Sequence, residues 1–145
     1  MIVIASDHAG VDLKARLVDQ ARSAGHEVRD LGPADAASVD YPDFAHRVSA
    51  AVTSGEAEHG ILICGTGIGM SMAANRHRGV RAALCHDAFT AEMARRHNDA
   101  NVLCLGARVT GAGVAEQIVR IFLDTPFEGG RHQRRVGLIE TEREG

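Results

Sequence analysis

Five short apolar runs, Ile2–Ala5, Val28–Leu31, Ile61–Cys64, Arg81–Cys85 and Val102–Leu105, recur along the chain, and each is followed by a turn and an amphipathic stretch. That alternation leaves few folds open. Strands joined in succession by helices form a parallel sheet with right-handed crossovers and helices on its faces. The expected helices run from about Val11 to Ala24, Pro42 to Ser54, Gly69 to Arg76, Asp87 to His97 and Ala112 to Asp124. Pro42 suits a first helical turn, and Gly25 and Gly55 sit where helices end on glycine. The expectation is an α/β fold: a three-layer αβα sandwich around a five-stranded parallel sheet. Residues 126–145 form a tail, with a last short helix near Arg131 to Glu140 that packs on the core or on a partner subunit.

A length of 145 residues fits one domain, 1–145. With 45% hydrophobic residues but only 3% aromatics, its core must be built from Ala, Val, Ile and Leu, as in close-packed parallel sheets. The formal charge of −3 argues against a nucleic-acid binder, so any phosphate site must be local. Cys64, Cys85 and Cys104 are odd in number, lack CxxC spacing and lie in or beside apolar runs, which disfavours a disulfide framework or a zinc site and points to the cytoplasm. The start MIVIA is cut off by Asp7 and His8 without a basic lead-in, so it reads as a strand rather than a signal peptide. No apolar run approaches the ~20 residues of a membrane span.

Parallel sheets bind ligands beyond the carboxyl ends of their strands. Those ends empty here into Ser6, Asp7 and His8, into Gly65–Gly69, into His86 and Asp87, and into Gly106 and Arg108. The run ILICGTGIGMSMAAN places Cys64 at a strand end, then Gly65, Thr66, Gly67, Ile68 and Gly69, then a helix start. Glycines there let backbone N–H groups face an anion. A dinucleotide fingerprint would need glycine where Met70 stands, and no GK[ST] follows for a P-loop. Cys64 is either a small buried hydrophobe or a thiol poised for proton transfer, since a helix N-terminus draws a thiol down from about 8.5. Cys85 and Cys104 read as packing residues inside strands.

Asp7 and His8 suit sugar hydroxyl recognition or proton transfer, with a helix N-cap and a solvated imidazole as the plainer alternative. His97 and Asn98 close the fourth helix, at the amino edge of the sheet, opposite the glycine loop. Within one subunit they cannot easily meet Cys64, so a catalytic His97 requires a site shared between subunits; otherwise it complements a helix dipole. Arg131 and Arg135, spaced i, i+4, share a helix face and suit phosphate, if they are not simply a solvated tail. Arg108 can assist them, whereas Arg95 and Arg96 are expected to face water.

Together the segments ASDHAGVDLK, DYPDFA, ICGTGIGMSMAANR, RHNDANVLCLGARVTG and GRHQRRVGLIE resemble the type B ribose-5-phosphate isomerases, a family that also contains galactose-6-phosphate isomerase subunits. The resemblance spans nearly the whole chain in order. It implies a Rossmann-like fold, a homodimer that can pair into a tetramer, sites shared between subunits, and interconversion of ribose 5-phosphate and ribulose 5-phosphate with no metal and no cofactor. By position, Cys64 would move the proton between C2 and C1, while Thr66 and the amides of Gly65–Gly69 hold the enediolate. His97, assisted by Asp7, would open the furanose ring. His8, Arg131 and Arg135 would hold phosphate, with Asn98 and Tyr41 at the sugar. Some members use a glutamate in the glycine loop, where this chain has Ile68, so the base falls to Cys64. Rival readings are an isomerase of galactose or allose 6-phosphate, a non-catalytic sugar-phosphate sensor and a cysteine hydrolase.

Overall fold

The computed structural model describes residues 1–141. Its strands are β1 (Ile2–Ser6), β2 (Val28–Asp30), β3 (His59–Cys64), β4 (Ala82–Leu84) and β5 (Val102–Gly106). The helices are α1 (Val11–Ser23), α2 (Tyr41–Thr53), α3 (Ile68–Ala74), α4 (Ala88–Arg96), α5 (Ala112–Asp124) and α6 (Arg131–Gly137), and a 3₁₀ turn covers His8–Gly10. All strand pairings are parallel, in the order β2-β1-β3-β5-β4. The α/β sandwich expected from the alternation is therefore present.

The period-two alternation of strand side chains divides the core into two layers. Ile2, Ile4, Ile61, Ile63, Leu103 and Leu105 face α1, α4 and α5, where Leu17, Ala91, Ile118 and Phe122 meet them. Val3, Ala5, Leu62, Cys64, Val102 and Cys104 face α2 and α3, against Phe44, Val48, Met70 and Ala74. Burying each large side chain stabilises the fold by about 1.5–3 kcal/mol. The same alternation turns the Cys64 side chain toward α3, the helix that follows it.

Several boundaries differ from expectation. β3 begins at His59, β4 is confined to three residues, and Cys85 lies just beyond β4 rather than inside it. α4 excludes Asp87 and His97, which are its caps; Asp87 accepts from Thr90 N–H at 2.7 Å. α6 ends at Gly137, short of Glu140. The larger correction concerns Arg95, expected at the surface. It is buried: Nε donates to Thr125 O at 3.1 Å, and Nη1 donates to Asp99 Oδ1 at 2.9 Å and to Ala100 O at 2.6 Å. These bonds pin the end of α4 to the end of α5 and the start of β5. Arg96 does face water, pairing with Glu92 and Glu128.

Candidate active site

At the carboxyl edge, the β3 backbone runs into a loop held from both sides. Asp7 N donates to Ile63 O at 2.9 Å, Ala107 N to Cys64 O at 2.8 Å and Arg108 N to Gly65 O at 3.0 Å. The strand ends of β1, β3 and β5 are thereby locked together. Within the loop, Gly67 N donates to Cys64 Sγ at 3.1 Å, so a fixed amide dipole is aimed at the sulfur. Gly67 has φ +80°, and a Cβ there would lie 2.5 Å from Leu84 Cδ1 and 2.9 Å from Leu105 C. Only glycine fits that turn. Thr66 Oγ1 accepts from Ile68 N at 3.3 Å, which leaves its hydroxyl proton able to donate elsewhere.

The other residues of this edge crowd around the loop. A Cβ on Gly69 would fall 2.6 Å from the Tyr41 ring, and one on Gly65 would fall 3.4 Å from Arg108 Nη1, so Tyr41 and Arg108 flank the cradle. Asp7 is buried and caps the 3₁₀ turn, Oδ1 accepting from Ala9 N at 2.9 Å, which is the plainer of its two expected roles. His8 is half-buried rather than solvated; its Nδ1 accepts from Val39 N at 3.3 Å. In the neutral ring the proton then sits on Nε2, where it can donate to an anion. Burial pushes the Cys85 thiol up to about 11 and raises that of Cys104 as well. Those two thiols are packing groups.

The second set lies at the opposite edge. α4 runs back from the end of β4 to the start of β5, which puts its C-cap His97 and the following Asn98 at the amino ends of the strands. The tail returns to the same place: Glu128 N donates to Arg96 O at 3.0 Å, and α6 begins three residues later. His97, Asn98, His132, Arg135, Val136 and Ile139 line a cavity of about 390 Å³. It adjoins a larger one of about 770 Å³, bounded by Arg76, Arg81, Asn98 and Ile139 among others. Arg131 is exposed on the first turn of α6 and does not line the smaller cavity. Tight hydrogen bonding of the intervening turn, with Asp99 at φ +46° between Arg81 and Arg95, fixes His97 and Asn98 in place.

Sequence reasoning missed the neighbours of His97. His132 stacks on it, ring centroids 4.2 Å apart and planes within 9° of parallel, and burial together with His97 lowers the His132 pKa. Glu128 faces both rings, 3.9 Å from His97 Nε2 and 3.7 Å from His132 Nε2. The only signal for this was the i, i+4 spacing of Glu128 and His132 across Gly129 and Gly130. One chain thus carries two clusters on opposite sheet edges: thiol, hydroxyl, amides, Asp7, His8, Tyr41 and Arg108 on one, and His97, Asn98 and Arg135 on the other.

A parallel sheet whose carboxyl edge bears a thiol in an amide cradle, ringed by a carboxylate, an imidazole and an arginine, defines a class of enzyme-like sites for small anionic substrates. The family is specific: the Ribose/Galactose Isomerase profile matches residues 2–139, and the chain belongs to that family. Ribose-5-phosphate isomerase B of Escherichia coli strain K12 is 46% identical over 138 residues, covering 95% of this chain and 93% of that protein. The solved ribose-5-phosphate isomerase B of Clostridium thermocellum superposes with TM-score 0.94 at 51% identity, covering 95% of this chain and 93% of its own. The Mycoplasma genitalium enzyme, solved with bound ribulose-5-phosphate, gives TM-score 0.91 at 48% identity over 95% of this chain and 92% of its own. Among the described residues no helix is long and apolar enough to cross a membrane.

Proposed function

We propose that the chain interconverts ribose 5-phosphate and ribulose 5-phosphate through a 1,2-enediolate, with Cys64 as the base. The observation that carries this reading is the Gly67 N–H aimed at Cys64 Sγ at 3.1 Å, in a glycine loop whose Thr66 Oγ1 accepts from Ile68 N. The thiolate removes the proton from C2 and returns it to C1. Negative charge builds on the two sugar oxygens, and fixed donors in a partly enclosed loop stabilise it by a few kcal/mol each. The route asks for no metal, because amides and a hydroxyl meet the charge. Phosphate, held by His8, Arg108 and the α6 arginines Arg131 and Arg135, positions the reacting carbons from a distance.

His97 and Asn98 act in this scheme from a second subunit. The aldose is a closed furanose, and an imidazole that protonates the ring oxygen while Asp7 draws the O1 proton would open it. The dimer is supported by exposed apolar side chains beside both halves: Tyr41, Ile68 and Met72 near the glycine loop, Leu138 and Ile139 near His97. The ketose offers a separating test, since with its O5 phosphorylated it cannot cyclise. Exchange of its C1 hydrogen with deuterated solvent therefore needs the base but no ring opening. Cys64→Ala should abolish both turnover and exchange, whereas His97→Asn should lose aldose turnover and keep exchange. Undiminished turnover in Cys64→Ala would sink the assignment. A tenfold preference for a six-carbon phosphate would change the substrate and leave the chemistry standing.

A further inference from the structure

His97 and His132 present their Nε2 atoms side by side to one carboxylate, and nothing in the isomerisation uses the second ring. His132 is buried, and its Nε2 makes no hydrogen bond among the described residues; Glu128 Oε1 stands 3.7 Å away, beyond hydrogen-bond reach. A buried acceptor or donor left unmet in this way marks a place for a further group. The ligand-type atoms of His97, Glu128 and His132 all lie within 4.8 Å of one another. A tetrahedral zinc-type ion, with bonds of about 2.0–2.1 Å, sets its ligands about 3.3 Å apart, so the three need close by no more than about 1.5 Å. The rings are nearly parallel, and one must turn about its Cβ–Cγ bond to converge; that torsion is soft in histidine.

We propose that His97, His132 and Glu128 form a binding site for one divalent cation of the zinc class. Two imidazole nitrogens and one carboxylate select such an ion over magnesium or calcium, which prefer oxygen ligands. The three ligands leave a fourth position open toward the cavity of about 390 Å³. Arg96, 3.3 Å from Glu128 Oε2, and Arg131 and Arg135 on α6 oppose a cation here, so the site is a weak, reversible one rather than a structural centre. Metal on His97 Nε2 takes away the proton carrier, and zinc then inhibits aldose turnover. That consequence rests on the ring-opening role proposed for His97; the site itself does not.

The test is zinc titration of the intact protein in competition with a chromogenic chelator, with cobalt absorption as a second probe. The expected result is one ion per chain, bound at least roughly tenfold more weakly by both His132→Gln and Glu128→Gln and unchanged by Cys64→Ala, with no thiolate-to-cobalt band. Circular dichroism confirms that the variants are folded. Absence of binding, or binding lost in Cys64→Ala with a thiolate band, would overturn the site. Zinc that binds as expected and spares aldose turnover would support the site and refute the role of His97 instead.

Discussion

Gly67 concentrates several demands in one residue: a left-handed turn, contact with Leu84 and the Leu105 backbone, and an N–H placed on the Cys64 sulfur. Gly67→Ala adds a Cβ where φ is +80° and backbone is 2.9 Å away, and neither can relax cheaply. Urea unfolding should show a loss of about 2–4 kcal/mol, with isomerase activity falling further than stability explains. The three thiols differ just as sharply. Burial pushes the Cys85 thiol up to about 11 and raises that of Cys104 too, so both stay protonated near neutral pH. Cys64 keeps 5% of its surface exposed, against 1% for Cys85 and none for Cys104. Brief alkylation of the native protein, read by peptide mass mapping, should therefore label one position, Cys64; equal labelling of Cys85 would refute this.

Among the elements, α4 depends most on a single side chain. Arg95→Met strips partners from Asp99 and from two carbonyls at the junction of α4, α5 and β5. We expect a loss of about 2–3 kcal/mol, against under about 1 kcal/mol for Arg96→Ala, whose ion pairs are exposed. Comparing their urea midpoints checks this. Arg95 also shows where reading the chain stopped short. The strands, α1, α2 and α5 were legible because apolar periodicity and glycine or proline punctuation reflect local rules. The placement of the glycine loop between β3 and α3 was legible too, since strand, glycines and helix follow one another directly. The burial of Arg95 was not, because two adjacent arginines at a helix end look alike until α5 packs over one of them. His132 was hidden for the same reason: its partner His97 is 35 positions away in the sequence, and no local pattern links them.

At the scale of the whole molecule, the two clusters face away from each other across the sheet, which makes assembly part of the proposed chemistry. Mixing Cys64→Ala with His97→Asn subunits should restore activity, since one site in each mixed dimer holds both intact residues. No recovery despite proven subunit exchange would place His97 in the same chain's site as Cys64, or outside catalysis. Stability has its own pH dependence. His59, buried against the edge of Phe122, has a pKa lowered below 6.5 by desolvation first and Arg95 next, with Glu58 and Asp99 opposing. Its folded pKa lies under its unfolded one, so this contribution to stability is intact above about 6.5 and is lost as pH falls toward the folded value. His59→Gln should therefore flatten the decline in unfolding free energy between about pH 7 and pH 5.

The strand order carries one more consequence, for the sequence of events as the chain is made. Among the described residues β4 pairs only with β5, and β5 comes later in the chain yet lies between β3 and β4. A nascent chain can pair β1, β2 and β3 while β4 still has no neighbour. The bonds from Ala107 and Arg108 that close the Cys64 loop arrive only with that inserted strand. In the order of synthesis, then, the thiol precedes the strand that frames it, and the loop around Cys64 can take its full set of backbone bonds only after Ala107 and Arg108 have been made.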